Sequence, residues 1–401
     1  MERFDSKSKN KMISFTKEKL IVIHSFPVWL PQTQTWMYNQ VKYLPHDCIE
    51  NHIVCEKTAN LDQFGVPNIH SLYDTSRLMY LWDKGIRRIG LRQHLNFLIK
   101  RMELCNAKIL HSHFGNIGWR NIEAVRKTGV KHIVTFYGRD VNLLPKKDPA
   151  WNIRYKELFK EVDCILCEGP FMAKSIIQMG CPEHKVKVHH LGVEVNKIIY
   201  QPRAWKIGSP IKILIAASFR EKKGIPYAIE AIARIQSTQP VEITIVGDAG
   251  VDPESQNEKN KILHLLGKYN LIYKTRLLGF QKHDVFFSEA YNHHIFISPS
   301  ITAQNGDTEG GAPVSIIEMA ATGIPVISTF HADIPEVICH NKTGLLVDEQ
   351  DIDGIVDQLK WLIANFNKWE SLSKEARYYV ENNFNATTQG YKLSKTYMKI
   401  L

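Results

Sequence analysis

The sequence predicts two doubly wound parallel α/β domains facing each other across a cleft. Three observations lead there. Short apolar runs bounded by turn residues alternate with helical patterns along the whole chain. The alternation lapses once, from Asn196 to Pro210, into Tyr200, Gln201, Pro202, Gly208, Ser209 and Pro210, and then restarts. The length of 401 residues fits two domains of about 200 residues. An apolar fraction of 44% and a charged fraction of 23% exclude a disordered, collagen-like or coiled-coil chain.

In the first domain, expected over residues 1–197, the strand candidates are Leu20 to His24, His52 to Cys55, Ile109 to His111, His132 to Phe136, Cys164 to Cys167 and Val186 to His189. The stretches between them are long enough for crossover helices. After a linker at 198–210, the second domain is expected over 211–375. Its strands are Ile211 to Ala216, Glu242 to Val246, Arg276 to Leu278, Ile295 to Ser298, Pro325 to Ser328 and Gly344 to Val347. Residues 376–401 read as helical on both sides of a break at Asn382 to Thr388, and are expected to return to the first domain. The Lys/Ser-rich first 19 residues are expected to be loose. In open parallel sheets ligands bind beyond the carboxyl ends of the strands, so the chemistry belongs in the loops after strands.

No apolar run approaches about 18 residues, which predicts no membrane-spanning helix. Met12 to Leu30 is interrupted by Lys17, Glu18, Lys19 and Pro27, with no small-residue cleavage site, so no signal peptide and a cytoplasmic protein are expected. The 7 cysteines, scattered from Cys48 to Cys339, do not make a disulfide framework. Cys164 and Cys167 have CxxC spacing, but three residues apart on a strand they point to opposite faces. Residues 1–200 carry 30 Lys+Arg against 19 Asp+Glu, net +11, while the remainder carries 21 against 22. The densest basic stretch sets Arg77, Lys84, Arg87, Arg88, Arg92, Lys100 and Arg101 among Leu78, Leu81, Trp82, Ile89 and Phe97. That interleaving suits an anionic membrane surface or ligand, and equally a solvated helix whose apolar stripe faces the core.

The most informative constellation is NGDTEGGAPVSIIEMAATGIPV, Asn305 to Val326, which follows the strand-and-turn pattern IFISPS. Pro313 suits the first turn of a helix. Gly310 and Gly311 would then leave backbone N–H groups open at a helix N-terminus, a site for phosphate or sugar oxygens. Glu309 stands just before the turn and Glu318 about one and a half turns into the helix, where carboxylates can accept from paired hydroxyls. His111 and His113 lie two apart at a strand end and point the same way, with no third metal ligand evident. Gly115 and Gly118 allow close backbone approach. Asp351-Ile352-Asp353 opens a helix, where first-turn carboxylates complement the dipole, and is read as a cap rather than a metal-nucleotide motif. P-loop, HExxH, GxGxxG and GxSxG patterns are absent.

The run from Glu309 to Glu318, with MAATGIPV, HADIPEVI and NKTGLLV after it, resembles the signature of the retaining glycosyltransferase family four, whose members have the GT-B fold. FPVWLPQTQTW from Phe26, HSHFG from His111, TFYGRD from Thr135, FREKKG from Phe219, IVGDAG from Ile245 and ISPS from Ile297 stand in the expected order, so the resemblance spans nearly the whole chain. The subset it most resembles builds bacterial exopolysaccharide, capsule or lipopolysaccharide in the manner of colanic-acid-type transferases.

The resemblance implies a donor site in the C-terminal domain, with Glu309 on the donor sugar, Glu318 on the nucleotide ribose, and Gly310, Gly311, Ala312 and Pro313 around the diphosphate. Eight residues separate the two glutamates, Gly310 to Ile317, one more than the family has. Lys223 matches the lysine that neutralises the leaving diphosphate. Ser218 stands where the family has an arginine, and Arg220 is the substitute expected on the same loop. Tyr137 replaces a histidine that contacts the donor sugar; with a pKa near about 10 it is a poor base, and same-face transfer, in which the leaving phosphate takes the acceptor proton, needs none. On the acceptor side His111, His113, Gly115, Arg139 and Asp140 are expected, with a capped turn as the other reading of Arg139 and Asp140.

The implied activity is transfer of a hexose-type sugar, with retention, from a nucleoside diphosphate sugar to a hydroxyl of a lipid-linked glycan at the inner face of the cytoplasmic membrane. No cofactor or metal and no nucleic acid are expected. The alternatives are a non-catalytic nucleotide-sugar-binding module, a nucleotide-sugar epimerase or a phosphorylase on the same fold.

Overall fold

The computed structural model describes residues 18–31 and 34–401. The first 17 residues, and Gln32 and Thr33 of FPVWLPQTQTW, lie outside the described residues. The first sheet contains β1 (Leu20–Trp29), β2 (Ile49–Thr58), β3 (Ile69–Ser71), β4 (Ile109–His113), β5 (Lys131–Thr135), β6 (Cys164–Cys167) and β7 (Val186–Val188), in the order β3-β2-β1-β4-β5-β6-β7. The second contains β8 (Ile211–Ala216), β9 (Val241–Val246), β10 (Thr275–Gly279), β11 (Ile295–Ser298), β12 (Val326–Thr329) and β13 (Leu345–Val347), in the order β10-β9-β8-β11-β12-β13. All the paired strands run parallel. This is the predicted pair of doubly wound sheets, with the order reversing at β1/β4 and at β8/β11. β3 was not expected, because three residues at a sheet edge carry no periodic signal.

The strands are rich in Val, Ile and Leu because both faces of each sheet are covered. Alternate residues feed opposite cores: Ile23, Val54 and Leu110 on one face of the first sheet, Val22, Ile109 and Ile133 on the other. Cys164 and Cys167 divide the same way, each buried in a different cluster. Helices α1 (Thr35–Lys42), α2 (Arg77–Arg88), α3 (Asn96–Leu104), α4 (Gly115–Thr128) and α5 (Pro170–Gln178) belong to this domain. α3 follows the amphipathic pattern, burying Phe97, Leu98 and Met102. α2 does not: it buries Tyr80 and Asp83, and leaves Leu78, Leu81 and Trp82 81%, 63% and 70% exposed. The reading in which its apolar stripe faces the core is therefore corrected.

In the second domain α6 (Ile225–Ile235) starts after Gly224, whose φ of +63° brings it so close to Pro299 that an added Cβ would lie 1.9 Å from the carbonyl oxygen. Only glycine satisfies both conditions. α7 (Pro253–Lys268), α8 (His283–Tyr291) and α9 (Val314–Thr322) follow. α9 is buried from Ile316 to Thr322, a helix without a polar face, which forces it between the sheet and its neighbours. α10 (Ile352–Ala364) is capped by Asp351, whose Oδ1 accepts from Gly354 N–H at 2.8 Å, and Asp353 pairs with Arg234, so the Asp-x-Asp serves the helix end.

The chain crosses between the domains twice. The first crossing lies at Val193, since Val193, Val195 and Ile198 already pack in a cluster of the second domain; the irregular stretch from Ile198 to Pro210 is held there by Arg203, which is buried and donates to the carbonyls of Ala290, His293 and Thr322. α11 (Trp369–Asn383) packs on the second domain and α12 (Ala386–Ile400) on the first, broken only at Phe384-Asn385, a shorter break than Asn382 to Thr388. Leu393 and Tyr397 of α12 are fully buried against Leu20, Val22 and Ile109. Tyr397 Oη lies 2.7 Å from His111 Nδ1, both side chains without solvent contact. Replacing Tyr397→Phe leaves that buried nitrogen unpaired, so a urea titration is expected to show a loss of about 1–3 kcal/mol; an unchanged midpoint would show the bond to be dispensable.

Candidate active site

Beyond the carboxyl ends of β8 and β11, two loops bring opposite charges together. The loop after β8 ends in a single helical turn, Glu221–Lys223, that presents two lysines inward. Lys223 Nζ lies 2.6 Å from Glu309 Oε1. Lys222 Nζ lies 3.8 Å from Glu309 Oε2 and 3.3 Å from Asp307 Oδ1, and donates to the Thr308 carbonyl at 2.8 Å. Ser300 Oγ donates to Glu309 at 3.1 Å, and the Glu309 N–H donates to His331 Nε2 at 3.0 Å. His331 Nδ1 faces Glu349 Oε1 at 2.6 Å, which fixes the tautomer that can accept from Glu309. Burial alone would raise the Glu309 carboxyl; the two lysines overcome it and hold the group at about 2. Arg220 is not in this cluster. It is part-exposed and pairs with Asp252 at 3.7 Å.

Glu318, on α9, is buried and meets His283 Nε2, the first residue of α8, at 2.8 Å. Burial lowers the His283 pKa, but Glu318 raises it more, and the net shift is upward. Nothing in the sequence marked His283, because its partner lies 35 positions away on another helix. Pro313 caps α9, with Ala312 and Pro313 half-buried. Gly310 and Gly311 are buried instead of open. An added Cβ on Gly310 would lie 2.4 Å from the Tyr137 carbonyl, and one on Gly311 2.1 Å from Glu168 Oε2. The first domain covers the N-terminus of α9.

Several acceptor-side expectations are corrected. His111 and His113 are completely buried, because β4 lies inside the sheet and both rings turn beneath the cleft floor. His111 spends both ring nitrogens, on Tyr397 and on Thr135 Oγ1 at 2.6 Å. His113 Nδ1 meets the Tyr137 hydroxyl at 2.6 Å and its Nε2 meets His24 Nδ1 at 3.1 Å. His24 is the third histidine of this cluster, on β1, hidden from the sequence reading by a separation of 89 residues. Asp140 caps a turn: its carboxylate accepts from Gly115 N–H at 2.7 Å and from Tyr137 N–H at 3.0 Å. Gly115 lies against the Phe136 ring, where an added Cβ would be 2.0 Å from Cε1. Tyr137 is placed at the cleft by its backbone, while its hydroxyl donates inward to Gln40 Oε1 at 2.9 Å. Arg139 alone of this group is exposed.

The two domains touch across the cleft. An added Cβ on Gly138, at φ +105°, would lie 2.3 Å from Gly310 Cα. Asn142 Nδ2 donates to Thr308 Oγ1 at 2.6 Å, and Asp333 accepts from Phe171 N–H at 2.7 Å at the start of α5. A small cavity of about 10 Å³ lies between Glu168, His190, Ala312, Ile317 and Asp333. Burial, then the negative charges of Asp333, Asp140 and Glu309, push the Glu168 carboxyl well above the ordinary range. A raised acid favours this arrangement fully below its free value of about 4.5 and disfavours it as pH climbs through the shifted value. Glu168→Gln is therefore expected to gain thermal stability over the parent as pH rises from 5 to 8, and parallel melting curves at both ends would contradict this.

Residues 33–197 match the family described as Glycosyltransferase Family 4, and residues 200–379 match Glycosyl transferases group 1. The chain is 31% identical over 288 residues to the putative colanic acid biosynthesis glycosyltransferase WcaL of Escherichia coli K12, covering 70% of this chain and 67% of that one. It is 31% identical to the amylovoran biosynthesis glycosyltransferase AmsK of Erwinia amylovora, with the same coverage. Among solved structures, a glycosyltransferase from Rickettsia africae superposes with a TM-score of 0.75 at 18% identity, covering 96% of this chain and 99% of that one. Anabaena HepE in complex with UDP and glucose gives 0.74 at 14%, covering 95% and 100%. With two parallel sheets facing across a lysine–glutamate cleft, the chain belongs to glycosyltransferase family four and has the GT-B fold.

Proposed function

We propose that this glycosyltransferase moves a hexose-type sugar, with retention of configuration and without a metal, from a nucleoside diphosphate sugar to a glycan hydroxyl in surface polysaccharide synthesis. The observation that carries the reading is the Lys222–Lys223–Glu309 cluster at the mouth of α9. Two lysines and a helix N-terminus supply the positive field a departing diphosphate needs, the part a divalent cation plays elsewhere. Donor phosphates compete with Glu309 for the lysines, and a freed Glu309 can accept from the donor sugar. Glu318, braced by His283, accepts from the ribose.

In the transfer step the bond from the anomeric carbon to phosphate oxygen breaks, the diphosphate keeping the electron pair. The acceptor oxygen bonds to that carbon on the same face, and its proton passes to the leaving phosphate oxygen. No side-chain base is required, in keeping with a Tyr137 hydroxyl turned inward and an Asp140 engaged as a cap. Closure of the loops around Gly138 and Gly310 excludes water that would hydrolyse the donor.

The test is a panel of nucleoside diphosphate sugars, read by thermal shift and donor turnover with membrane extract as acceptor source. Lys223→Ala is expected to lower kcat about 100-fold or more, with Lys223→Arg recovering part of it. Glu318→Ala is expected to act chiefly on donor KM. Absence of any donor-induced stabilisation would refute the donor site.

The acceptor is proposed to be lipid-linked, reached at the inner face of the cytoplasmic membrane. Among the described residues no helix is long and apolar enough to cross a membrane. Instead α2 and the turn after it expose Leu78, Leu81, Trp82, Ile89 and Leu91 beside exposed Arg77, Lys84 and Arg88. An apolar face rimmed with cations fits an anionic bilayer surface. Asp83, buried at the base of α2, is tied to Arg87 and Arg92, which anchors the helix from below. Flotation with vesicles of anionic phospholipid is expected to carry the protein. The double variant Leu81→Glu, Trp82→Glu is expected to lose at least about tenfold in partitioning while keeping donor hydrolysis in solution. Equal flotation of the two proteins would refute this contact.

A further inference from the structure

A second convergence of ligand-type side chains lies on the far edge of the first sheet. His52 on β2, His70 on β3 and Cys105, just past the end of α3, direct their donor atoms to one point. His52 Nδ1 lies 3.0 Å from His70 Nε2 and 3.5 Å from Cys105 Sγ, and all three atoms fall within 4.8 Å of one another. In a tetrahedral site with metal–nitrogen bonds of about 2.0–2.1 Å and metal–sulfur bonds of about 2.3 Å, ligand nitrogens stand about 3.3 Å apart and nitrogen stands about 3.5 Å from sulfur. The observed separations are within a few tenths of an ångström of that.

The tautomer is set as well. His52 Nε2 lies 2.9 Å from Glu50 Oε1, and a carboxylate can only accept, so the ring proton sits on Nε2 and Nδ1 presents its lone pair to the cluster. A carboxylate behind a histidine is the arrangement that orients metal-bound imidazoles and strengthens them as ligands. His52 is buried, while His70 and Cys105 are half-buried, which leaves an approach and room for a fourth, solvent-derived ligand. The thiolate and Glu50 together balance a divalent ion; Arg101, over the Phe97 ring at 5.0 Å, stands close enough for its charge to act on His70 and Cys105 and favours the thiolate.

The buried trio His24, His111 and His113 differs on each point. It is closed to solvent, and His111 already spends both nitrogens on hydrogen bonds within the fold. We propose that His52, His70 and Cys105 form a binding site for a thiophilic divalent transition metal of the zinc class, which clamps the β2–β3 edge to the end of α3. Two imidazoles and a thiolate select zinc-like ions over magnesium or calcium. The site stands apart from the Lys223–Glu309 cluster, so the donor reading and this one can fail separately.

The test uses the full chain, stripped with a chelator and titrated with cobalt(II), then with zinc(II). Binding at this site gives one equivalent of cobalt, with a sulfur-to-cobalt charge-transfer band in the near ultraviolet and visible bands of tetrahedral intensity, both displaced by zinc. Cys105→Ser is expected to abolish the charge-transfer band, and His70→Gln to weaken cobalt binding at least tenfold. His113→Gln is expected to leave both unchanged, provided circular dichroism shows each variant folded. Should Cys105→Ser misfold, His70→Gln and Glu50→Gln, the latter weakening cobalt binding with the band retained, carry the test. No stoichiometric cobalt binding, or a charge-transfer band that persists in folded Cys105→Ser, overturns the proposal.

Discussion

Two glycines in contact set the terms for the cleft. Where Gly138 meets Gly310, the backbones of the two domains are so close that neither position has space for a β-carbon. That approach seals the N-terminus of α9 beneath the first domain and removes water from around Glu309. Charges that would be screened at a surface are left to interact at low dielectric. The upward push on the Glu168 carboxyl, which comes in part from Asp333 and Glu309 of the other domain, is a consequence of that closeness.

The two acids respond oppositely because their partners differ. Glu309 has two ammonium groups within 4 Å and stays ionised despite burial. Glu168 is buried near the carboxylates of Asp333, Asp140 and Glu309, which Lys222 offsets only in part, and its carboxyl is pushed well above the ordinary range. A ligand bringing two phosphates would draw the lysines toward itself and alter both environments together.

What could be read in the sequence was what depends on near neighbours. The strands of the second domain follow from uninterrupted branched-apolar runs such as Ile211–Ala216 and Ile295–Ser298, and Glu309 and Glu318 from their places either side of a Gly-Gly-Ala-Pro turn. The outcome for Cys164 and Cys167 follows from strand geometry alone. What could not be read depends on distant partners. The inward turn of Tyr137 is set by His113 and by Gln40, 24 and 97 positions away. The sequence places His111 and His113 at a strand end without showing what covers it; α12 returns from the far end of the chain to set Tyr397 against His111. β3 is too short to show a period. α2 has a clear period, but nothing in its sequence says whether the apolar side meets protein or solvent.

The two chain crossings lie side by side. Val193 N–H donates to the Phe384 carbonyl at 2.8 Å, and Ala386 N–H donates to the Val193 carbonyl at 2.9 Å. A pair of adjacent tethers, riveted to each other at this point, behaves like the pin of a door. It suppresses sliding and twisting between the domains and leaves swing about a single axis as the cheap motion. Any separation of the domains is then expected to carry Gly138 away from Gly310 along one fixed arc.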